Sequence, residues 1–381
     1  MAEELLKDLF NLTNQLYKSK IYELSNRLWA IRNSSFLDPR IQSSVNRALT
    51  RLDKYIEEIE GVKNDNSKTF KDKFSSIREV ERNIRREEEI LVLLEDVTDT
   101  FVSNRSLSTA LSNLFEYLYS KITRETMPFL ITSGKGVLET IPYLIPYLKN
   151  EKNKIAVGAI GMPLYSASHL DEWILAGHEL GHIIANKKFG MQLKYEEKTK
   201  ENSKMELLSD KIALQIFGPV FLEALAMKLT GREYKMFIFP EYFTYTHPSE
   251  SWRIWICYYQ ARAFFKFDAA KIFIESIESI INDIYERPKD ELFDEIKDDL
   301  STDKYDLNEI NSIEDLKECY DKADELSSKW IENGYDTTDI KSYDPDQIVI
   351  AGYLTSRKNP EKLGLCTQQV INSLIRKQNY Y

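Results

Sequence analysis

Trp173-Ile174-Leu175-Ala176-Gly177-His178-Glu179-Leu180-Gly181-His182-Ile183-Ile184-Ala185 sets a His-Glu-x-x-His motif inside an apolar helical run. Residues four apart on an α-helix are offset by only about 40°, so His178 and His182 project from one face and can share a metal ion. Glu179 sits beside them, placed to take a proton from a water activated there. Two imidazoles and a carboxylate among apolar residues are costly to bury alone, and a cation supplies the missing partner. Ser168 with Asp171 three residues on resembles a capping box, and Gly190 after Lys187 and Lys188 suits a helix end. A helix over roughly 169–188 is therefore expected.

A catalytic zinc needs a third protein ligand and an open position. Met205-Glu206-Leu207-Leu208-Ser209-Asp210-Lys211-Ile212-Ala213-Leu214 offers one, with Leu208, Ile212 and Ile216 as an apolar stripe and Gly218-Pro219 as a stop. Glu206 can be the third ligand, and Asp210 can accept the second ring N–H of a ligand histidine. Acidic residues four apart often decorate a solvated face, but this helix is largely apolar and lies downstream of the histidines. A third element is Thr246-His247-Pro248-Ser249-Glu250-Ser251-Trp252-Arg253-Ile254. On its own it reads as a loop histidine and a surface arginine.

Taken in order, His-Glu-x-x-His, Glu-x-x-x-Asp and His-Pro-x-x-x-x-Arg-Ile resemble the gluzincin metallopeptidase family that includes the HtpX heat-shock protease and the type I CaaX prenyl protease. The resemblance covers about residues 150–260. It implies one Zn2+ per chain held by His178, His182 and Glu206, with Glu179 as catalytic base and Asp210 behind a ligand. It also implies that His247 and Arg253 lie near the tetrahedral intermediate, where Tyr242 or Tyr245 are further candidates. Those relatives are membrane proteins, whereas no run here reaches the ~18 to 20 apolar residues a spanning helix needs. The expectation is thus a peptidase without a transmembrane segment, acting on protein or peptide.

Composition narrows the class further. The 381 residues are 43% hydrophobic with net charge −10, and the pI is near 5.2. No basic surplus is available for nonspecific binding to nucleic acid. Cys257, Cys319 and Cys366 are odd in number and lack C-x-x-C spacing, and the acidic start has no basic n-region, so a cytoplasmic protein is expected.

The pattern divides into an N-terminal helical region (1–125), a zincin-like metallopeptidase core (126–264) and an acidic C-terminal helical region (265–381). The fold class expected is mainly α with a small β-sheet, α+β. In the first region Leu5, Leu9, Leu12 and Leu16 form one stripe and Leu24, Leu28 and Ile31 another. Asp38-Pro39 opens a helix carrying Ile41, Val45, Leu52, Ile56 and Ile59, which Gly61 should stop. A charged helix follows from about Lys71 to Asp99, with Ile77, Val80, Ile84 and Leu91 on one side and a solvated face over 82–89. Intramolecular packing is the expected use of these stripes, with self-association or adaptor docking as the other use.

Runs leaning towards β fill 126–165, and Lys154–Gly161 reads as a strand. It either pairs with an extended substrate or lies inside the sheet. Farther on, Ile272, Ile274, Ile277, Ile280, Ile281 and Ile284 read as core contacts, and the Asp- and Glu-rich stretch 290–346 as solvated surface. The function expected is zinc-dependent endopeptidase. Alternatives are a narrow-specificity regulatory peptidase gated by its helical flanks, or a non-catalytic helical interaction protein with a structural zinc. The absence of a cysteine near the motif disfavours the last.

Overall fold

Three long helices form the N-terminal stretch: α1 (Ala2–Arg32), α2 (Pro39–Asn64) and α3 (Phe70–Ser103). The computed structural model describes residues 2–33, 39–103, 105–132, 139–140, 158–162, 169–191, 200–238, 248–285, 287–289, 291–302, 305, 312–334 and 340–378. The chain divides into two compact units, the first described through residues 2–105 and the second beyond them.

In the first unit the three helices pack pairwise on one another. The buried residues of α3 include Ile77, Val80, Ile84, Glu87, Leu91, Leu94 and Thr98, with Lys73 and Val97 buried beside them, and those of α1 include Phe10, Asn14, Ile21, Leu24, Leu28 and Ile31. The series from Ile77 to Thr98 steps by three and four, as does that of α1 apart from a whole heptad between Asn14 and Ile21, the 3.5-residue seam of coiled-coil packing. Val45, Ala48, Leu49, Leu52 and Ile59 of α2 complete the core. The second stripe of α1 and the described stripe residues Val45, Leu52 and Ile59 of α2 and Ile77, Val80, Ile84 and Leu91 of α3 are therefore used within the chain.

Three expectations change here. Leu16 is 62% exposed, because the seam runs through Asn14 instead. Gly61 lies inside α2, which continues to Asn64; an interior glycine costs about 1 kcal/mol relative to alanine without breaking a helix. The chain turns only at Asp65, whose Oδ1 accepts the Ser67 N–H at 2.9 Å. The supposed solvated face contains Glu87, which is buried and takes both Arg51 Nε and Nη2, at 2.5 and 2.9 Å. The side chains of Leu5, Leu9, Leu12, Ile41, Ile280 and Ile284 lie outside the described set.

The second unit opens with α4 (Arg105–Thr123) and holds a three-stranded sheet of β1 (Phe129–Thr132), β2 (Glu139–Thr140) and β3 (Gly158–Gly161). The order is β1-β3-β2, with β1 parallel and β2 antiparallel to β3. Ile160 and Gly161 are thus paired on both sides, which makes β3 an internal strand there; residues 154–157 lie outside the described set. A Cβ on Gly158 would come within 2.6 Å of the Phe129 ring, so the close strand pair needs glycine.

Nine helices follow among the described residues: α5 (Leu170–Phe189), α6 (Lys200–Phe217), α7 (Pro219–Ile238), α8 (Glu250–Phe264), α9 (Asp268–Ile284), α10 (Glu291–Leu300), α11 (Ile313–Glu332), α12 (Pro345–Lys358) and α13 (Leu363–Gln378). The protein is mainly α with a small β-sheet. No described helix is long and apolar enough to cross a membrane. Helix α5 packs against α6, α7 and α12 and touches β2 and β3. It is central to its unit.

The C-terminal helices are part of this same unit and brace α6. Lys200 and Lys204 pair with Glu295 and Asp299 of α10. Lys211, only 4% exposed, donates to Leu300 O and Tyr305 O at 2.6 and 2.9 Å, satisfying the last carbonyl of α10 and one in the chain beyond it. Tyr320 donates to Phe217 O at 2.7 Å and accepts the Val220 N–H at 2.9 Å, bridging the Gly218 break after α6. In α9, Ile274, Ile277 and Ile281 are buried as expected, but Ile272 is 68% exposed. Asp346 is not solvated surface: it is buried against Lys121 at 2.8 Å.

Candidate metal centre

Helix α5 is hydrophobic nearly all round and correspondingly enclosed. Asp171 and Glu172 in its first turn and Lys187 and Lys188 in its last complement the helix dipole. Gly190 ends it at φ +67°, a left-handed conformation, with its N–H on Asn186 O. His169 is the N-cap without a side-chain cap bond, and Ser168 lies outside the described residues. Between Trp173 and Ala185 every residue is buried except Glu179, which keeps partial exposure.

Helix α6 runs antiparallel to α5 at unusually close range. A Cβ on Gly177 would sit 2.7 Å from the Phe217 ring and 3.5 Å from Ala213, and one on Gly181 would sit 2.6 Å from Ser209 O. Glycine at these two positions lets the backbones approach. The approach brings Glu206 to the histidines. His178 Nε2 lies 3.1 Å from Glu206 Oε2 and 3.1 Å from His182 Nε2, and His182 Nε2 lies 3.6 Å from Glu206 Oε1. All three residues are buried, with Glu206 1% exposed. Among the described residues this is the one group of three that could hold a metal ion.

The outward nitrogens of both rings are engaged. His178 Nδ1 is 2.7 Å from Asp210 Oδ1, and His182 Nδ1 is 2.9 Å from Ser209 Oγ. Each contact leaves Nε2 facing the shared point, which is how a metal-binding imidazole is normally oriented. Burial alone would raise the Asp210 carboxyl, but Arg253 and His178 hold it down at about 2. Arg253 clamps it with two bonds, Nε to Oδ2 at 2.8 Å and Nη2 to Oδ1 at 2.7 Å.

The structure brings together five residues singled out in the sequence: His178, His182, Glu206, Asp210 and Arg253. Glu179 follows His178 on the same helix, at its half-buried position. Arg253 enters from the first turn of α8, where Ser249 caps the helix by accepting the Trp252 N–H. It stands on the Nδ1 side of His178, away from the converging Nε2 atoms, where it holds Asp210. His247, Tyr242 and Tyr245 lie outside the described residues. Comparison with known proteins returns no match to a family model, a curated protein or a solved structure.

Sequence reasoning passed over Ser209. The available signal was its place on α6, three residues after Glu206 and next to Asp210. Cysteine chemistry is a poor fit nearby, since burial pushes the Cys257 thiol well up and keeps it protonated.

Proposed function

We propose that the protein is a zinc-dependent endopeptidase, with zinc held by His178, His182 and Glu206 and with Glu179 as general base. The observation that carries this reading is the convergence of two Nε2 atoms and one carboxylate beside the only partly exposed residue of the Trp173–Ala185 segment. Donor spacings of 3.1, 3.1 and 3.6 Å bracket the about 3.3–3.4 Å expected for tetrahedral ligands about 2.0–2.1 Å from zinc. The motif order resembles gluzincin peptidases, which supports the same assignment.

When bound, zinc supplies Lewis acidity, making water nucleophilic near neutral pH and polarising a carbonyl. Glu179 takes the proton of the attacking water and returns it to the leaving amine. Asp210, fixed by Arg253, keeps the His178 Nδ1–H engaged. A structural zinc would close all four positions with protein ligands; three such groups converge among the described residues. Protein or peptide is the substrate class, and three buried cysteine thiols suit a reducing compartment.

The test is mass-spectrometric detection of new N-termini after incubating the zinc-loaded full chain with an unfolded protein mixture, beside Glu179→Gln. Termini produced by the wild type alone support the reading. Equal cleavage by the variant, with its zinc retained, would overturn Glu179 as the base.

A further inference from the structure

Ser209 is fully buried on α6, with Oγ 2.9 Å from Met205 O and 2.9 Å from His182 Nδ1. A hydroxyl carries one proton. Two oxygens 2.9 Å apart with no hydrogen between them repel, so the Ser209 proton lies toward Met205 O and an Oγ lone pair faces the ring. That lone pair can only accept, which places a hydrogen on His182 Nδ1. Nε2 is then the basic nitrogen, and it is the one facing His178 Nε2 and Glu206.

We propose that Ser209 is a positioning residue that locks His182 in its Nδ1–H tautomer and keeps the Nε2 lone pair on the metal side. The inference rests on the metal-centre reading above. A serine side chain is short, and it reaches because Gly181 lets the Ser209 backbone come into contact with α5. The two rings are thus held differently. Asp210, a carboxylate clamped by Arg253, orients His178 and raises its basicity. A neutral hydroxyl orients His182 without adding a further negative charge to a pocket that already holds Glu206 and Asp210.

The experiment uses the full chain labelled with 15N-histidine. Two-bond 15N–1H spectra of the metal-free protein report the His182 tautomer, and titration with Co2+ or Zn2+ alone reports affinity and, for cobalt, the visible spectrum. The wild type should show Nδ1–H. Ser209→Ala should mix the tautomers, weaken metal binding about 10–100-fold and shift the cobalt bands, and Ser209→Thr, which restores a hydroxyl, should recover the affinity.

An Nε2–H tautomer in the wild type, which needs no variant to observe, would overturn the proposal. So would Ser209→Ala with wild-type tautomer and affinity. A wild type that shows Nδ1–H yet takes up neither metal would overturn the metal centre while upholding the tautomer lock, so the two failures are separable.

Discussion

Gly181 and Ser209 meet backbone to backbone: a Cβ on Gly181 would lie 2.6 Å from Ser209 O and 2.9 Å from its Cα. The obstacle is a helix backbone, which cannot swing aside as a side chain can. Gly181→Ala should therefore push α5 and α6 apart. The helix-propensity gain of about 1 kcal/mol should be outweighed by an overpacking cost of about 1–3 kcal/mol. Urea denaturation should show a net loss of stability, and calorimetric titration should show weaker zinc binding because Glu206 recedes. An unchanged affinity would mean that the approach of the helices does not set the ligand distances.

Arg253 and Asp210 are both buried and bonded twice. Removing one partner of such a pair leaves the other charge stranded, at a cost of about 3–5 kcal/mol. Arg253→Met should lose stability on that scale, read from the urea midpoint. Arg253→Lys should recover little, since an ammonium cannot reproduce the planar two-bond fork. If Arg253→Met instead lost only turnover at full stability, Arg253 would face the substrate after all.

Metal binding should strengthen with pH. Burial works against the His178 imidazolium, but Asp210 outweighs it and raises the ring from 6.5 to about 10 in the metal-free protein. A raised folded-state pKa means this contribution to stability is fully present below about 6.5 and is lost as pH rises through about 10. Metal needs the unprotonated Nε2 and so displaces that proton. Between about pH 6.5 and about pH 9, metal-free Tm should fall while the Tm increment given by zinc grows. An increment that stays flat would remove His178 from the ligand set.

In the first unit, Glu87 is buried in the seam of α3 while Arg51, its partner, is partly exposed. Arg51→Leu should strand the carboxylate and lower stability by a few kcal/mol, about the penalty for an unpaired buried charge. Adding Glu87→Leu should recover much of that loss, because the seam position is otherwise apolar. A double-mutant cycle with chemical denaturation measures both.

The parts legible in the sequence are those where local pattern and tertiary need coincide. Helix α5 lies within a residue of the expected span because Gly190 sets its end, and Gly218 with Pro219 marks the break after α6. Elsewhere the packing partner decides. Leu16 is a core residue by type, but a seam anchored on Ile21, Leu24 and Leu28 turns it outward and buries Asn14. Gly61 signals a stop that the rest of α2 overrides. Arg253 was visible as a charged residue near the site, yet its direction depends on how α8 meets α6. Ser209 escaped notice because a serine in an apolar helix becomes informative only when the facing ring is known.

The bridge from Tyr320 to the end of α6 has a consequence for biosynthesis. The Phe217 carbonyl and Val220 amide that it satisfies are made 103 and 100 residues before the tyrosine itself. At about 5–20 residues per second of translation, the helix bearing Glu206 is synthesised about 5–20 s before its brace. A nascent chain would hold all three ligands yet lack the support that fixes two of its helices. The brace of the helix that carries Glu206 is thus supplied late in synthesis, by a tyrosine 100 residues beyond the amide it accepts.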